Sequence, residues 1–170
     1  PSYIVHPSDL APALVALDAT FRVAGADGER GVAAADFFVS PRVDPEHENV
    51  LTDEEVLASV EIPAPAAGAR SAYHKVMDRE AWTHALSSAA VVLEMDGEVC
   101  REARIVLGGV APVPWRVQEA ERVLAGRRIT PALARQAAET AVADDAQSQP
   151  QERPEELRLL EALLFAASEP

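Results

Sequence analysis

The sequence predicts an α+β fold, in which a three-stranded antiparallel sheet is followed by the helices that pack on it. Three observations predict this class. Apolar runs of strand length lie in the middle of the chain, and Asp96-Gly97 separates two of them in the manner of a tight hairpin turn. The segments with helix caps come afterwards, from Pro114 onward. Strands that precede helices indicate an α+β arrangement rather than alternating parallel units.

The portion before this sheet carries signals for one helix, one hairpin and one strand. Ser8 and Asp9 begin an apolar run over residues 7–18, which predicts a short capped helix. Two extended runs around "GADG" predict a hairpin over residues 20–38, and residues 54–62 form a strand that ends at Pro63. The spacer "PAPAAGA" that follows is typical of a boundary, so we predict domains over 1–63 and 70–170.

Six elements are predicted in the second domain. The strands cover residues 70–77, 85–95 and 98–112. The helices cover 114–126, 130–143 and 154–167. Thr130 and Pro131 supply the cap and the first position of the middle helix. In the last helix one face is apolar, formed by Leu157, Leu160, Leu164 and Ala167.

Composition and charge exclude several functions. The net charge of −13 and the lack of a clustered basic face argue against nucleic-acid binding. No apolar run is long enough for a bilayer and no signal peptide opens the chain, so we expect an intracellular, cytoplasmic protein. Cys100 is the single cysteine and cannot ligate an iron–sulfur cluster alone. Any iron–sulfur or molybdenum centre therefore belongs to a partner.

Common catalytic motifs are missing. The four histidines, His6, His47, His74 and His84, show no metal-binding spacing, and neither a G-x-S-x-G elbow nor a glycine-rich phosphate loop is found. Gly108-Gly109 has two interpretations, a strand bulge or a close approach by a ligand or backbone. Lys75 is the only lysine beside fourteen arginines. Its presence reflects either chance on a solvated strand or a site that needs the compact ammonium of lysine rather than the planar guanidinium of arginine.

Five stretches, taken together and in this order, resemble the FAD-binding medium subunit of the molybdenum hydroxylases, the family of xanthine dehydrogenase, aldehyde oxidase and aerobic carbon monoxide dehydrogenase. They are "HPSDLAPALVALDA" (6–19), "ADFF" (35–38), "EEVLASVEIP" (54–63), "SAYHKVMDREA" (71–81) and "ARIVLGGVAPVPWR" (103–116). The resemblance covers residues 1–143. It implies that residues 1–63 are the C-terminal part of the flavin-binding domain and that 70–170 form the family's C-terminal domain.

The resemblance also implies site residues. Asp9 and Leu57 match positions that contact the flavin nucleotide in the family, and Lys75 matches a lysine near the pyrimidine end of the isoalloxazine. A compact cation there stabilises the negative charge that a reduced flavin carries and raises its potential. The segment "MDREAW" matches a loop beside the flavin, where Asp78, Arg79 and Glu80 either gate the acceptor or form a solvated cluster, while Trp82 and Trp115 are expected to pack.

The implied function is electron transfer. Substrate is oxidised at the molybdenum cofactor of a large subunit, electrons cross 2Fe-2S clusters of a small subunit, and FAD passes them to NAD or another acceptor. Two departures favour an alternative, a non-catalytic assembly module that lacks FAD. The family's pyrophosphate-binding lobe is missing, and the tail "QSQPQERPEELRLLEALLF" lacks the family's polar motif. The start at Pro1 predicts a processed chain or a piece of a longer one.

Overall fold

A computed structural model describes residues 5–77 and 84–146 of the chain. In the first portion, α1 (Leu10–Ala16) is followed by the hairpin of β1 (Thr20–Gly25) and β2 (Gly28–Ala33). A single helical turn, α2 (Ala34–Phe37), leads by a loop to β3 (Val56–Glu61). The three strands form an antiparallel sheet in the order β2-β1-β3, with β3 at one edge.

The second portion is a five-stranded antiparallel sheet. Three long strands form its body: β4 (Ala69–Val76), β5 (Ser87–Asp96) and β6 (Val99–Gly108). Two short strands, β7 (Trp115–Arg116) and β8 (Arg127–Arg128), pair with opposite ends of β6. Two helices follow the body of the sheet, α3 (Gln118–Leu124) and α4 (Pro131–Ala146). The predicted α+β class is therefore confirmed.

The strand alternation of β5 and β6 gives the large sheet two buried faces. One face packs under α3 and α4 through side chains such as Val91, Leu93 and Ile105. The opposite face packs against α1 and the small sheet through Ala90, Val92 and Val106. Because successive strand residues point to opposite faces, this alternation also determines the face on which β4 presents each of its side chains.

Arg104 ties α1 to the large sheet. Its Nε donates a hydrogen bond to the carbonyl oxygen of Ala16 at 2.8 Å, and it pairs with Glu94, Glu102 and Asp18. The arginine side chain is only 11% exposed, while Ala16 is the last residue of α1. The first and second portions are thus joined by a shared apolar core and by a polar clamp.

Three local predictions need correction. The hairpin predicted over residues 20–38 ends at Ala33, because residues 34–37 form α2. The helix predicted from Pro114 begins at Gln118, because Trp115 and Arg116 instead pair with Leu107 and Val106 of β6. The hairpin turn between β5 and β6 is centred on Gly97 and Glu98 rather than on Asp96 and Gly97.

Gly97 has a φ of +58°, and a positive φ at the first central position is the type II′ pattern, which favours glycine. The helix predicted over 154–167, with its apolar face, lies outside the described residues. None of the helices that the structure describes is long and apolar enough to cross a bilayer.

Candidate functional site

Asp9 and Lys75 form an ion pair where α1 meets the large sheet. The Lys75 Nζ donates to Asp9 Oδ2 at 2.7 Å, although the two residues are 66 positions apart in the chain. The lysine side chain is 18% exposed and the aspartate side chain 45% exposed. The pair therefore lies at the rim of the interface, with the ammonium more sheltered from water than the carboxylate.

The segment that carries Asp9 is fixed by local contacts. Ser8 Oγ accepts a hydrogen bond from the Ala11 backbone N–H at 3.2 Å, the capping contact predicted for this helix. The His6 backbone N–H donates to the Ala111 carbonyl at 2.8 Å, and its ring packs edge-on against Phe38 with centroids 4.9 Å apart. Burial lowers the pKa of His6. The segment before α1 is therefore held by the chain that follows β6 and by Phe38, and Asp9 comes directly before the first residue of α1.

The position of Lys75 follows from strand alternation in β4. Ala72 and Val76 pack toward the helices α3 and α4, so Tyr73 and Lys75 point to the other face, where α1 lies. Lys75 is paired in register with Ser88 of β5. Since β4 is the edge strand of the sheet, the Lys75 side chain can reach the start of α1 and the solvent beyond it.

Tyr73 extends this polar group. It lies on the same face of β4 as Lys75, and burial, followed by the negative charge of Asp9, raises its pKa. Ser88 is almost completely buried, at 2% exposure. Sequence reasoning missed both residues. The spacing of Tyr73 and Lys75, two positions apart on a strand, places them on one face and was a usable signal, whereas nothing in the sequence distinguished Ser88.

A recess of about 140 Å³ adjoins the ion pair. It is lined by residues 5–9 before and at the start of α1, by His84 and Ala85, and by Ser88 and Gly109. Its exposed surface is mostly apolar, and Asp9 is among the residues that line it. The recess gives the ion pair an accessible flank, so a bound group could touch Asp9 from this side.

Gly108 and Gly109 serve packing in this structure. A Cβ at Gly108 would lie 2.5 Å from Ser88 Oγ, and Gly109 turns the chain with a φ of +74° close to the backbone of residues 85–87. The bulge that the sequence suggested here is not observed, since the register shift in this ladder falls between Glu94 and Met95. The alternative, a close approach by backbone, is what Gly109 allows, whereas Gly108 makes room for the side chains of Ser88 and Pro12.

Leu57 lies apart from the ion pair. It belongs to β3 of the small sheet, opposite Val23 of β1, and is 42% exposed. Its neighbours Val56 and Val60 are also exposed along this edge strand. The structure thus brings Asp9 and Lys75 together and places Leu57 in the other sheet. The flavin contacts of all three residues stay a prediction.

Other candidate chemistry is not supported by the described residues. Within residues 5–77 and 84–146, no group of histidine, cysteine or acidic side chains is arranged to hold a metal ion. Cys100 is fully buried, and desolvation raises the pKa of its thiol to about 11. It packs as a small apolar residue, as predicted. Asp78, Arg79, Glu80 and Trp82 lie outside the described part of the chain.

The ion pair has the chemistry that a flavin ring edge would meet. Lys75 offers an ammonium donor at the rim of a sheltered interface, and the flavin N1 and C2 carbonyl region accepts hydrogen bonds and gains negative charge on reduction. The neighbouring recess leaves room beside Asp9 at the start of α1. These residues therefore fit one end of a flavin, and they do not include a pyrophosphate cradle.

Two known families match the chain. Residues 72–165 match the CO dehydrogenase flavoprotein C-terminal domain. Residues 4–65 match the FAD binding domain in molybdopterin dehydrogenase.

Curated relatives and solved structures point the same way. The chain is 38% identical over 120 residues to the aldehyde oxidoreductase FAD-binding subunit PaoB of Escherichia coli K12, covering 70% of this chain and 36% of that one. It is 32% identical over 139 residues to the carbon monoxide dehydrogenase medium chain of Hydrogenophaga pseudoflava, covering 81% of this chain and 46% of that one.

The fold agrees with a structure of the carbon monoxide dehydrogenase from H. pseudoflava that lacks the Mo-pyranopterin moiety of its cofactor. The TM-score is 0.80 at 29% identity, covering 94% of this chain and 58% of that one. Quinoline 2-oxidoreductase from Pseudomonas putida 86 gives 0.72 at 28% identity, covering 92% and 55%. The chain spans less than half the length of the curated relatives it matches. It belongs to the CO dehydrogenase flavoprotein C-terminal domain family, that of the FAD-binding medium subunits of molybdenum hydroxylases.

Proposed function

We propose that the chain forms part of a flavin-binding medium subunit that transfers electrons, with Lys75 and Asp9 at the edge of the isoalloxazine. The observation that carries this proposal is the 2.7 Å contact between Lys75 Nζ and Asp9 Oδ2. The family resemblance assigns both side chains to the flavin, and one pocket for them requires that they meet. Had they lain on opposite sides of the large sheet, no common pocket would exist.

The proposed complex has three kinds of subunit. A large subunit carries the molybdenum cofactor and oxidises the substrate, and a small subunit carries 2Fe-2S clusters. FAD, when bound, supplies the redox chemistry that links these clusters to NAD or to another acceptor. The match to an FAD binding domain and the relatives' subunit names support this arrangement. We place the complex in the cytoplasm and in the xanthine dehydrogenase type.

The residues of this chain would act on the flavin through charge and apolar contact. Lys75 holds a positive charge in a sheltered position, where electrostatic interactions are stronger than in water. Asp9 compensates part of that charge and keeps the ammonium in one place. Leu57, exposed on β3, offers apolar surface to the nucleotide. Lys75 thus raises the reduction potential of the flavin, and Asp9 limits the increase.

The test uses the full-length medium subunit in its flavin-loaded complex. Lys75→Ala is expected to lower the flavin midpoint potential, because it removes the cation and leaves Asp9 uncompensated. Arg128→Ala is the matched control, since it also removes a positive charge from the large sheet but at an exposed ion pair with Glu98. An unchanged flavin potential in Lys75→Ala would show that Lys75 does not lie at the flavin.

The visible spectrum distinguishes the alternative function. The purified wild-type complex is expected to show flavin absorbance. A colourless medium subunit that still copurifies with the iron–sulfur and molybdenum subunits would instead support an assembly module without FAD.

A further inference from the structure

His6 holds the segment before α1 by three contacts, and none of them has a role in the function proposed so far. Its backbone N–H donates to the Ala111 carbonyl at 2.8 Å, in the chain that follows β6. Its ring packs edge-on against Phe38, with the ring centroids 4.9 Å apart. Its Nδ1 accepts a hydrogen bond from the Ser8 backbone N–H at 3.4 Å. The backbone and the ring of His6 are therefore both fixed, and the ring in turn fixes Ser8.

Ser8 connects His6 to the Asp9–Lys75 ion pair. The Ser8 Oγ accepts a hydrogen bond from the Ala11 N–H at 3.2 Å, and Asp9 is the next residue along the chain. The Asp9 side chain is 45% exposed, and its carboxylate lies 2.7 Å from the ammonium of Lys75. An ion pair that water reaches gains little from charge alone, because solvent weakens the attraction and both side chains lose freedom. The geometry of this pair therefore depends on the backbone that carries Asp9.

The contact between His6 and Ser8 exists in only one protonation state of the ring. A ring nitrogen that accepts a hydrogen bond carries no proton, so the neutral ring holds its proton on Nε2. When the ring takes up a proton from solvent at Nδ1, both nitrogens become donors. The Nδ1–H then meets the Ser8 N–H, and a donor–acceptor contact is replaced by a contact between two donors. Protonation of His6 therefore breaks the hydrogen bond that fixes Ser8.

We propose that His6 is a positioning residue, whose neutral ring fixes the Ser8 backbone and thereby holds the Asp9 carboxylate against Lys75, and that a proton taken up at Nδ1 releases this hold. The ion pair is therefore expected to loosen as the pH falls. The positioning is a property of the chain itself, and only its consequence at the flavin rests on the proposed function.

Three charged or titratable side chains surround His6 in the part of the chain that the structure describes. Burial lowers the pKa of His6 below its usual value of 6.5, although the negative charge of Glu48 acts in the opposite direction. Asp9 and His84 line the same recess as His6. The neutral ring therefore predominates at about pH 8, and the ring takes up its proton only below pH 6.5.

Two substitutions separate the acceptor of His6 from its charge. His6→Asn keeps an acceptor, because an asparagine oxygen can bond to the N–H two residues on, and it cannot take up a proton. His6→Phe keeps an aromatic ring against Phe38 and removes the acceptor. The readout is the rate of reductive methylation of Lys75, followed by mass spectrometry of its peptide in the full-length protein within its complex. Rates are compared at the same pH, so that the titration of Lys75, Asp9 and His84 affects all three proteins alike.

At about pH 8, Lys75 is expected to react in His6→Asn as in the wild type, and about two- to fivefold faster in His6→Phe, the factor for one lost hydrogen bond. At about pH 5, the wild type is expected to react about two- to fivefold faster than His6→Asn and as fast as His6→Phe. Equal rates in all three proteins at both pH values would overturn the inference. An equal gain in rate on acidification in the wild type and His6→Asn would also overturn it, because another group, such as His84, would then respond to pH.

Glu48→Gln keeps the test decisive if a substitution at position 6 disturbs folding. It leaves His6 in place and removes the negative charge that favours the protonated ring. At about pH 6, Lys75 is therefore expected to react more slowly in Glu48→Gln than in the wild type, whereas the two rates should agree at about pH 8. Equal rates at both pH values would contradict the role of His6.

The flavin potential separates this inference from the proposed function. In the loaded complex, the potentials of the wild type and His6→Asn are expected to agree at about pH 8 and to differ at about pH 5. If the methylation of Lys75 follows the expected pattern while the two potentials agree at both pH values, His6 positions the pair and Lys75 does not lie at the flavin. If the methylation does not follow that pattern, the positioning by His6 is overturned whatever the potentials do.

Discussion

Gly108 packs directly against Ser88, and a Cβ at this position would require Ser88 and Pro12 to shift. A Cβ at this position would lie 2.5 Å from Ser88 Oγ and 2.9 Å from Pro12 Cγ. Pro12 is in α1, so the bare backbone of β6 is what allows this helix to approach the large sheet. The same contact fixes Ser88, which is paired in register with Lys75. The glycine therefore contributes to the candidate site through packing rather than by binding a ligand.

Gly108→Ala is predicted to destabilise the protein by about 1 to 3 kcal/mol, the usual cost of inserting a methyl group into a filled interior. Ser88 and Pro12 cannot both move away, because one lies in the central strand and the other in a packed helix. Urea denaturation of wild type and variant measures the difference. Gly31→Ala is the control, since its Cβ would meet a Thr20 methyl at 3.3 Å. Equal losses in the two variants would contradict the packing argument.

Arg104→Met is predicted to cost about 2 to 3 kcal/mol of unfolding free energy, the range for a lost hydrogen bond to a charged group. The variant keeps apolar volume but leaves the Ala16 carbonyl and Glu94 without the guanidinium that now contacts both. Thermal and urea unfolding measure the loss. Arg128→Ala breaks an exposed pair with Glu98 and is expected to change stability by less than about 0.5 kcal/mol. A smaller loss of unfolding free energy in Arg104→Met than in Arg128→Ala would contradict the role of Arg104 in joining α1 to the large sheet.

Lys75 and Asp9 are predicted to shift the flavin potential in opposite directions. Lys75→Met lowers it and Asp9→Asn raises it, because one variant removes a positive and the other a negative charge. A shift of tens of millivolts is expected, since about 59 mV corresponds to a tenfold change for one electron. Redox titration of the loaded complex measures both. The double variant should lie between the single variants. Shifts of the same sign would show that structural disturbance, not charge, is responsible.

The sequence predicts the fold well where short-range signals such as helix caps determine the structure. Ser8 and Thr130 cap α1 and α4 as expected, with contacts to the backbone N–H of Ala11 and Leu133. Long-range pairing was not predictable. Trp115 and Arg116 stand at the start of a helical pattern, yet they add a short strand to β6 because its edge is free there. The local pattern could not reveal that edge.

The site was predictable only in part. The resemblance named Asp9 and Lys75, and the fold brings them to 2.7 Å. No local pattern in the sequence indicates that the start of α1 packs beside the edge strand β4, because that contact depends on how two sheets stack. Ser88 illustrates the limit, since Ser87 and Ser88 are both buried in β5 and the sequence does not distinguish them.

Cys100 is predicted to be unreactive in the folded protein. Desolvation raises the pKa of its thiol to about 11, so almost no thiolate forms at pH 8, and the side chain is fully buried. A chromogenic disulfide reagent should therefore react with Cys100 only after urea is added. The peptide that contains Cys100, identified by mass spectrometry, distinguishes it from thiols on other subunits. Rapid reaction in the native complex would contradict its burial.

Glu55 is predicted to make the stability of the folded protein depend on pH in the acid range. The forked contact with Arg30, at 2.7 and 2.9 Å, and a hydrogen bond from the Thr52 backbone N–H hold the pKa of its carboxyl at about 2. A carboxyl whose pKa is lowered by folding adds stability above its unfolded value of 4.5, and this stability is lost as the pH falls through 2.

In Glu55→Gln this contribution is absent at every pH. The wild type should therefore melt at a higher temperature than the variant above pH 4.5, and the difference should narrow as the pH falls toward about 2. Melting curves recorded across this range measure it. Glu98→Gln is the control, because its pair with Arg128 is exposed on both sides and its loss should change the melting temperature little. If the difference in melting temperature between wild type and Glu55→Gln were the same at every pH, the ionisation of Glu55 would not explain it.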